Sequence, residues 1–513
     1  MTNLDWLEWE CKTSVEIDVA QHGAFPESVE RVELSRLSNL SLVAIGKGAG
    51  SFQLSEYIHL RPGEFSPYPT DTIGHTKFGD LVRIKGVLLR SSNTLSHPFE
   101  TEINSFSIEA KVDELEVVQC ELPIVTHIEW IVNFSINNYT FTRYTQRKQS
   151  IVFTRERSGG DRLQRNLSCN DRRGNLDHFS CECTVGDKRW LLLVGQVPEE
   201  ISSTEYKPGF IEFYNLNDCI PSEDTKRIIL AALSFTLGRQ IASVGSTSLA
   251  EDGDRVSYST KTVRLLGEQS AYRQPSYPPT QLSTQLSLPH YEHLEGFLDE
   301  KKVSKIISAV ATKMEELNLE YPLFLVWLGQ NSPIEVRAAH LGAAIESLRD
   351  SYCENNLKTN LLPTNRWKEI MKPLLIKAFD NAHKKLEKNL QFSSEVKILK
   401  NKLSQLNNKS SNMKYEEFFK LISLKNGKVE KAALRERNKP AHGTRYLPNQ
   451  YPRLSITTDA LYTLFNRIVL KLTDASDYYI DYSTYGHPVR HIDEPLGGPE
   501  GDGEPAKEME NRQ

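Results

Sequence analysis

The apolar residues of this 513-residue chain change their period once, and that change restricts it to an α+β, multidomain architecture. Over residues 14–220, short runs rich in β-branched and aromatic residues alternate with Gly, Pro, Asn and Asp, the pattern of strands and turns. Such runs include Ser14–Val19, Ser41–Ile45, Asp80–Arg90, Ser105–Val112, His127–Phe134, Ile151–Arg155, Arg189–Val194 and Gly209–Tyr214. In one of them Phe106, Ile108, Ala110 and Val112 fall on one face and Ser107, Glu109 and Lys111 on the other, as in a half-buried strand. Without helical patterns between them, these runs predict an antiparallel sandwich or barrel. GKGAG at 46–50 reads as a Gly-rich loop.

Helical spacing takes over later. Glu223–Leu237 is a helix capped by Ser222 and closed by Gly238. From residue 298 the stripes are helical throughout. Glu300–Leu317 carries Val303, Ile306, Ile307, Val310 and Met314, and Tyr321–Leu328 is apolar all round. Ser332-Pro333-Ile334-Glu335 has the form of a capping box. It opens a helix along which Ala338, Leu341, Ile345 and Leu348 share a face. Trp367–Leu386, Glu395–Leu406, Tyr415–Leu424, Val429–Arg437 and Thr458–Leu472 complete a helical bundle. The expected layout is a β-rich domain over 1–244 and a Ser/Thr/Gln/Pro-rich linker or extended arm over 245–297. A helical domain follows over 298–485, then an acidic, disordered tail over 486–513.

Charge is distributed as unevenly as hydrophobicity. Residues 366–439 hold 19 Lys/Arg against 8 Asp/Glu, whereas 493–513 hold 7 acids against 2 bases. A basic block on a helical domain points to a polyanionic partner. A second basic stretch, 143–173, has nine bases and three acids interleaved with Tyr144 and Phe153, which reads as a solvated hairpin face with nucleic acid as its alternative. Seven scattered cysteines suit a reducing cytosol. The acidic start MTNLDWLEWECK is not expected of a secretory signal, and no apolar run approaches a membrane span. The expectation is therefore a cytoplasmic protein.

The chemistry concentrates at KVEKAALRERNKPAHG, residues 428–443. Arg437, Asn438 and His442 stand in the order Arg-Asn-x-x-x-His. An imidazole that titrates near neutrality can move a proton between a ribose 2′-OH and a leaving 5′-oxygen. A guanidinium can clamp the phosphate as negative charge builds. Similar Arg-to-His spacings occur at Arg90/His97 and at Arg172 or Arg173/His178, but in neither does Asn follow the Arg directly. Pro440 lies inside the 437–442 run and removes a backbone donor, which predicts a kink or loop at His442.

This run resembles the Arg-Asn-x-x-x-His motif of HEPN domains, helical-bundle domains many of which are ribonucleases. The order of a β-rich front half and a helical back half is most similar to the ApeA-like HEPN anti-phage proteins. The resemblance implies a metal-independent endoribonuclease acting in abortive anti-phage defence, with Arg437, His442 and Asn438 catalytic. It also implies an acidic residue on a neighbouring helix, for which Glu346 is the candidate. Its implied partners are RNA, with tRNA one candidate, a phage-derived trigger, and a second copy of the chain in a homodimer or higher homo-oligomer. The helices Glu335–Leu348 and Thr458–Leu472 are the expected flanks of that interface.

No Walker-type loop and no His-Glu-x-x-His is present, so no cofactor or metal is expected. Cys169, His178, Cys181 and Cys183 have an unusual spacing for zinc and read as ordinary strand residues. Arg337 and Arg349 lie on the helix of Glu346 and read as surface arginines with phosphate binding as the alternative. Two further readings of the whole chain remain. One is a non-catalytic HEPN-like module that binds nucleic acid or protein, and the other is a ligand-sensing β-rich domain with a dimerising bundle.

Overall fold

The computed structural model describes residues 9, 11, 14–50, 71–95, 105–134, 146–147, 150–156, 162–168, 178–196, 207–214, 220–250, 255–263, 276–284, 297–353, 360–386, 398–400, 402–403, 406–437 and 447–506. They fall into two compact units. The first comprises 1–314, 330–332 and 473–476, and the second 315–329, 333–472 and 477–513.

Antiparallel strands build the first unit. They are β1 (Val15–Gln21), β2 (Val29–Arg36), β3 (Leu42–Ala49), β4 (Thr72–Thr76), β5 (Leu81–Lys85), β6 (Leu88–Leu95), β7 (Ser105–Val112), β8 (Glu114–Val118) and β9 (Thr126–Val132). Next come β10 (Gln146–Arg147), β11 (Ser150–Glu156), β12 (Arg162–Ser168), β13 (His178–Val185), β14 (Lys188–Gln196), β15 (Gly209–Tyr214), β16 (Ala242–Leu249) and β17 (Arg255–Lys261). Fourteen of these hydrogen-bond in the order β13-β14-β15-β9-β16-β17-β8-β5-β4-β1-β2-β3-β7-β6, and β10–β12 form a separate three-stranded sheet. The large antiparallel sheet and the helices that follow establish the α+β class.

Period-2 reading succeeds where burial is one-sided: Phe106, Ile108, Ala110 and Val112 of β7 are all buried. The run 80–90 instead breaks into β5 and β6 around Gly86, whose φ of +65° is left-handed. GKGAG is not a loop but the end of β3. A Cβ on Gly48 would stand 2.6 Å from the Phe106 ring and closer still to the Ser28 carbonyl oxygen, so the glycine admits its neighbours. Two apolar cores lie along the sheet. One gathers Phe25, Leu34, Leu42, Ile84 and Val117 from β1–β8, the other Trp9, Trp130, Phe210 and Val244 around β9.

The first part of the expected linker is sheet. Its first residues form β16 and β17, in which Ser and Thr outnumber the aliphatic side chains. Their hydroxyls find partners inside: Ser246 with Ser259 at 2.9 Å, Thr247 accepting from Trp130 Nε1 at 2.9 Å, and Ser248 with His127 at 3.0 Å. A hydroxyl that is hydrogen-bonded can be buried at little cost, so polar composition concealed two strands. Beside them Glu129 is buried with Lys226 and Lys261 each 3.6 Å away. Against the burial that would raise it, the His127 ring and the two lysines hold the Glu129 carboxyl down to about 2.

Helix α1 (Glu223–Leu237) matches its sequence limits, with Ser222 Oγ accepting from Thr225 N at 3.2 Å and Gly238 at φ +64°. Helix α2 (Glu300–Lys313) was expected in the helical domain but packs on β13 in the first unit. Ser304 Oγ accepts from Glu182 N and Thr312 Oγ1 donates to Thr184 O, both at 3.2 Å. A helix laid on a terminal strand covers an edge that would otherwise invite pairing. The division between units therefore falls at 314, not at 297.

The second unit holds α3 (Glu320–Gln330), α4 (Ile334–Cys353), a π-turn at Trp367–Met371 leading into α5 (Lys372–Leu386), α6 (Ser411–Leu421), α7 (Lys428–Glu436) and α8 (Tyr451–Thr473). Helix α3 is not apolar-buried all round, because Tyr321 and Phe324 are exposed and stack on each other. Every residue of α8 from Ala460 to Leu470 is buried within the chain. That stretch leaves no free face for the intermolecular packing expected of it.

The tail is also a correction. Residues 477–506 are ordered, with strands β18 (Tyr478–Ile480) and β19 (Val489–His491) paired antiparallel. Asp481, fully buried, accepts from Ser483 N, Thr484 Oγ1, Arg490 Nε and Gly497 N at 2.7–3.0 Å. Leu496 is buried as well. Composition predicts disorder because apolar residues are few, but here a satisfied polar hub does the ordering. Residues 507–513 lie outside the described residues. Among the described residues no helix is long and apolar enough to cross a membrane.

Candidate functional site

Helix α7 begins at Gly427, whose N–H donates to Glu430 Oε2 at 2.9 Å, and it buries Val429, Glu430, Ala433 and Leu434. Arg437 follows as its C-cap with helical φ of −54° and donates its N–H to Ala433 O at 3.1 Å. The side chain then turns inward and is only 4% exposed. It lies across Gly342 of α4, where a Cβ would come within 2.8 Å of Arg437 Cδ. Glycine inside a helix costs about 1 kcal/mol relative to alanine, so its presence here fits the path of the arginine.

Arg437 Nη2 donates to Glu346 Oε1 at 2.6 Å and to Ser411 Oγ at 2.9 Å, and Nη1 donates to the Leu434 carbonyl. Its guanidinium also lies 5.0 Å from the centroid of the Tyr415 ring. Arg349, one turn beyond Glu346 on α4, stands 4.5 Å from the same centroid and is 5% exposed. Its Nε bonds to Asp350 Oδ1 at 2.8 Å. The two guanidiniums are thus the buried members of the cluster. The side chains of Glu346 and Asp350 are 39% and 64% exposed. Burial pushes the Tyr415 hydroxyl above the ordinary phenol range, in spite of the two nearby cations. The group therefore stays protonated and able to donate.

Of the residues singled out in the sequence, the structure brings Arg437 and Glu346 into contact across 91 positions. Asn438 and His442, together with the expected kink at Pro440, lie outside the described residues. Beyond that segment the chain returns beside the same helices. Arg453 bonds to Glu436 at 3.3 Å and Tyr451 Oη donates to Glu335 Oε1 at 2.7 Å. The cluster also contains residues that sequence reasoning did not place there: Arg349, read as surface, and Ser411 and Tyr415. The signal available for Arg349 was its spacing, since Glu346, Arg349 and Asp350 stand at i, i+3 and i+4 on one helix.

Elsewhere, Cys181 and Cys183 are buried on β13, and burial pushes the Cys183 thiol up to about 12. Cys169 lies outside the described residues, and no group of three or more metal-binding side chains occurs among the described ones. In the basic stretch 143–173 the backbone of β11 and β12 forms a hairpin with Phe153 opposite Arg165 and Arg155 opposite Leu163. Comparison with protein-family models, with curated proteins and with solved structures finds no match for this chain.

Proposed function

We propose that the second unit is a metal-independent endoribonuclease of HEPN type, active in anti-phage defence in the cytoplasm. The observation that carries this reading is the 2.6 Å ion pair between Arg437 and Glu346. Arg437 comes from the motif, and Glu346 is the candidate for the acidic residue that the resemblance implies on a neighbouring helix. In the reaction, His442 takes the proton of a ribose 2′-OH, and the 2′-oxygen attacks the adjacent phosphorus. The bond from phosphorus to the 5′-oxygen breaks, and that oxygen receives a proton. The products are a 2′,3′-cyclic phosphate and a 5′-OH. Arg437 neutralises the charge that grows on the phosphate, and Asn438 positions one of the reacting groups. One His per motif supplies either the base or the acid, so a homodimer, which brings a second copy by symmetry, is the natural assembly.

The test is total RNA incubated with the purified full-length chain in the presence of EDTA. Cutting that survives EDTA and leaves cyclic phosphate ends is the expected result, and absence of cutting under every trigger tried defeats the reading. A second reading, a non-catalytic module that binds nucleic acid, is favoured by the burial of Arg437 at 4% exposure. It predicts binding without cleavage in the same experiment.

Two results are expected from this reading. Gly342→Ala should lower cutting about a hundredfold, since a displacement of about 1 Å at a reacting group costs that much. The thermal midpoint should move little, because alanine raises helix propensity where it crowds Arg437. Unchanged cutting in a folded Gly342→Ala variant would mean that the path of Arg437 over α4 does not matter. RNA affinity should also fall steeply with salt, with a log–log slope of about −0.7 for each phosphate neutralised on a single strand. A flat curve between low and physiological salt would leave the Lys-rich block as solvated surface.

A further inference from the structure

Three polar groups around the Tyr415 ring are buried and have no hydrogen-bond partner among the described residues: Arg437 Nε, Arg349 Nη1 and the Tyr415 hydroxyl. All three side chains are more than nine-tenths buried. A buried donor left unpaired costs about 1–3 kcal/mol, and more when it is charged. Three in one place is therefore an expensive arrangement for a purely structural cluster. They are also of one kind. Guanidiniums donate only, and the phenol, kept protonated by burial, donates as well. What such a set lacks is an acceptor with several oxygens and negative charge.

The carboxylates beside it have the complementary character. Glu346 and Asp350 occupy the guanidiniums but are themselves partly in water. Each can turn outward into water, and the oxyanion that enters replaces the negative charge that the buried guanidiniums need. The cations cannot leave, since both lie against the aromatic face, where cation–π attraction adds to their hold. An incoming oxyanion thus meets a fixed positive pair and a replaceable negative one.

We propose that Arg349, Tyr415 and Arg437 form one oxyanion-binding site for an RNA phosphodiester, in which Arg349 is a second phosphate ligand beside the reacting arginine. This rests on the ribonuclease reading for the identity of the anion, but not for the existence of the site. Arg349 and Arg437 donate to non-bridging oxygens, Tyr415 Oη adds a third hydrogen bond, and the Glu346 carboxylate swings out as the phosphate enters. Arg349 contributes binding and charge, and takes no proton.

The experiment uses the full chain and a 2′-O-methyl RNA oligonucleotide, which has no 2′-OH and is not cut. Binding is followed by fluorescence anisotropy at fixed salt, with inorganic phosphate as competitor. Arg349→Gln is expected to weaken binding about ten- to a hundredfold, the worth of one or two charge-assisted hydrogen bonds. Arg349→Lys keeps the charge without the fork and is expected to recover part of the loss. Inorganic phosphate should compete with the oligonucleotide on the wild type and more weakly on Arg349→Gln. If Arg349→Gln does not fold, Arg349→Lys and Tyr415→Phe serve in its place, both expected to bind several-fold more weakly than wild type. Folded variants that bind within twofold of wild type overturn the proposal.

The two readings fail separately. Loss of cutting in Arg437→Ala together with undiminished binding in Arg349→Gln removes Arg349 and keeps the ribonuclease. Binding that depends on Arg349 in a protein that cuts no RNA removes the ribonuclease and keeps the site.

Discussion

His442→Ala is expected to slow RNA cutting by about 10²–10⁴-fold, the usual worth of a positioned general acid or base. Arg437→Ala is expected to slow it by about 10²–10³-fold, the worth of a single preorganised donor to developing charge. Both proteins should remain folded. Truncating Arg437 releases the Glu346 carboxylate, but that side chain is 39% exposed and water can take over its hydrogen bonds. Arg437→Lys is the sharper control. A lysine keeps one charge near Glu346 but cannot reach Glu346, Ser411 and the Leu434 carbonyl together. Intermediate activity is expected from it. The measurement is single-turnover cleavage in EDTA, read on denaturing gels beside circular dichroism of each variant. Wild-type rates in both folded alanine variants would remove the pair from the chemistry. Unfolding of both would make the pair a structural one.

The sequence made this site legible in part, for reasons that lie in particular residues. Arg437 stood out by its motif, and Glu346 entered as the candidate for the acidic residue that the HEPN resemblance implies on a neighbouring helix. Arg349 read as a surface residue, with phosphate binding only as the alternative, because its burial depends on the Tyr415 ring, which arrives from a helix more than sixty positions away. Strand β7 and helix α1 were readable to within a residue, since their burial follows one local period, and β15 because it is a short, mostly apolar run between turn residues. β16 and β17 were not, because many of their buried side chains are hydroxyls whose partners sit on β9 and on each other. The ordered tail failed for a related reason. Composition counts apolar residues, while residues 477–506 are held by one buried aspartate, one buried ion pair and a few glycines.

That ion pair yields the largest expected effect on stability. Arg467 of α8 and Glu430 of α7 are both 0% exposed and meet at 3.0 Å. Glu430 Oε1 also accepts from Leu496 N at 3.0 Å, and Arg467 Nε donates to Ile492 O at 2.8 Å and lies over the Tyr479 ring. One pair thus ties α7, α8 and the C-terminal segment together, at the far end of the helix that presents Arg437. Burial raises the Glu430 carboxyl above its ordinary 4.5 despite Arg467 and the backbone donors, and burial lowers Arg467. Both shifts favour the neutral form, so desolvation outweighs the attraction within the pair.

Removing one partner is then costly, and the two removals differ. Glu430→Gln leaves a guanidinium that cannot shed its proton and should cost about 3–5 kcal/mol at any pH. Arg467→Met leaves a carboxyl that can take up a proton. Its folded pKa lies above the unfolded value, and more so without the cation, so the stabilising contribution is complete below about pH 4.5. That contribution is lost as pH rises through the folded value. Arg467→Met should therefore be closer to wild type near pH 5 than at pH 8, whereas the deficit of Glu430→Gln, whose amide does not titrate, should not grow with pH. Urea unfolding of the three proteins at the two pH values decides it. Equal, pH-independent losses in both variants would show that Glu430 does not carry the charge that the buried arginine needs. A loss below about 1 kcal/mol in either would show that the C-terminal segment is held without this pair.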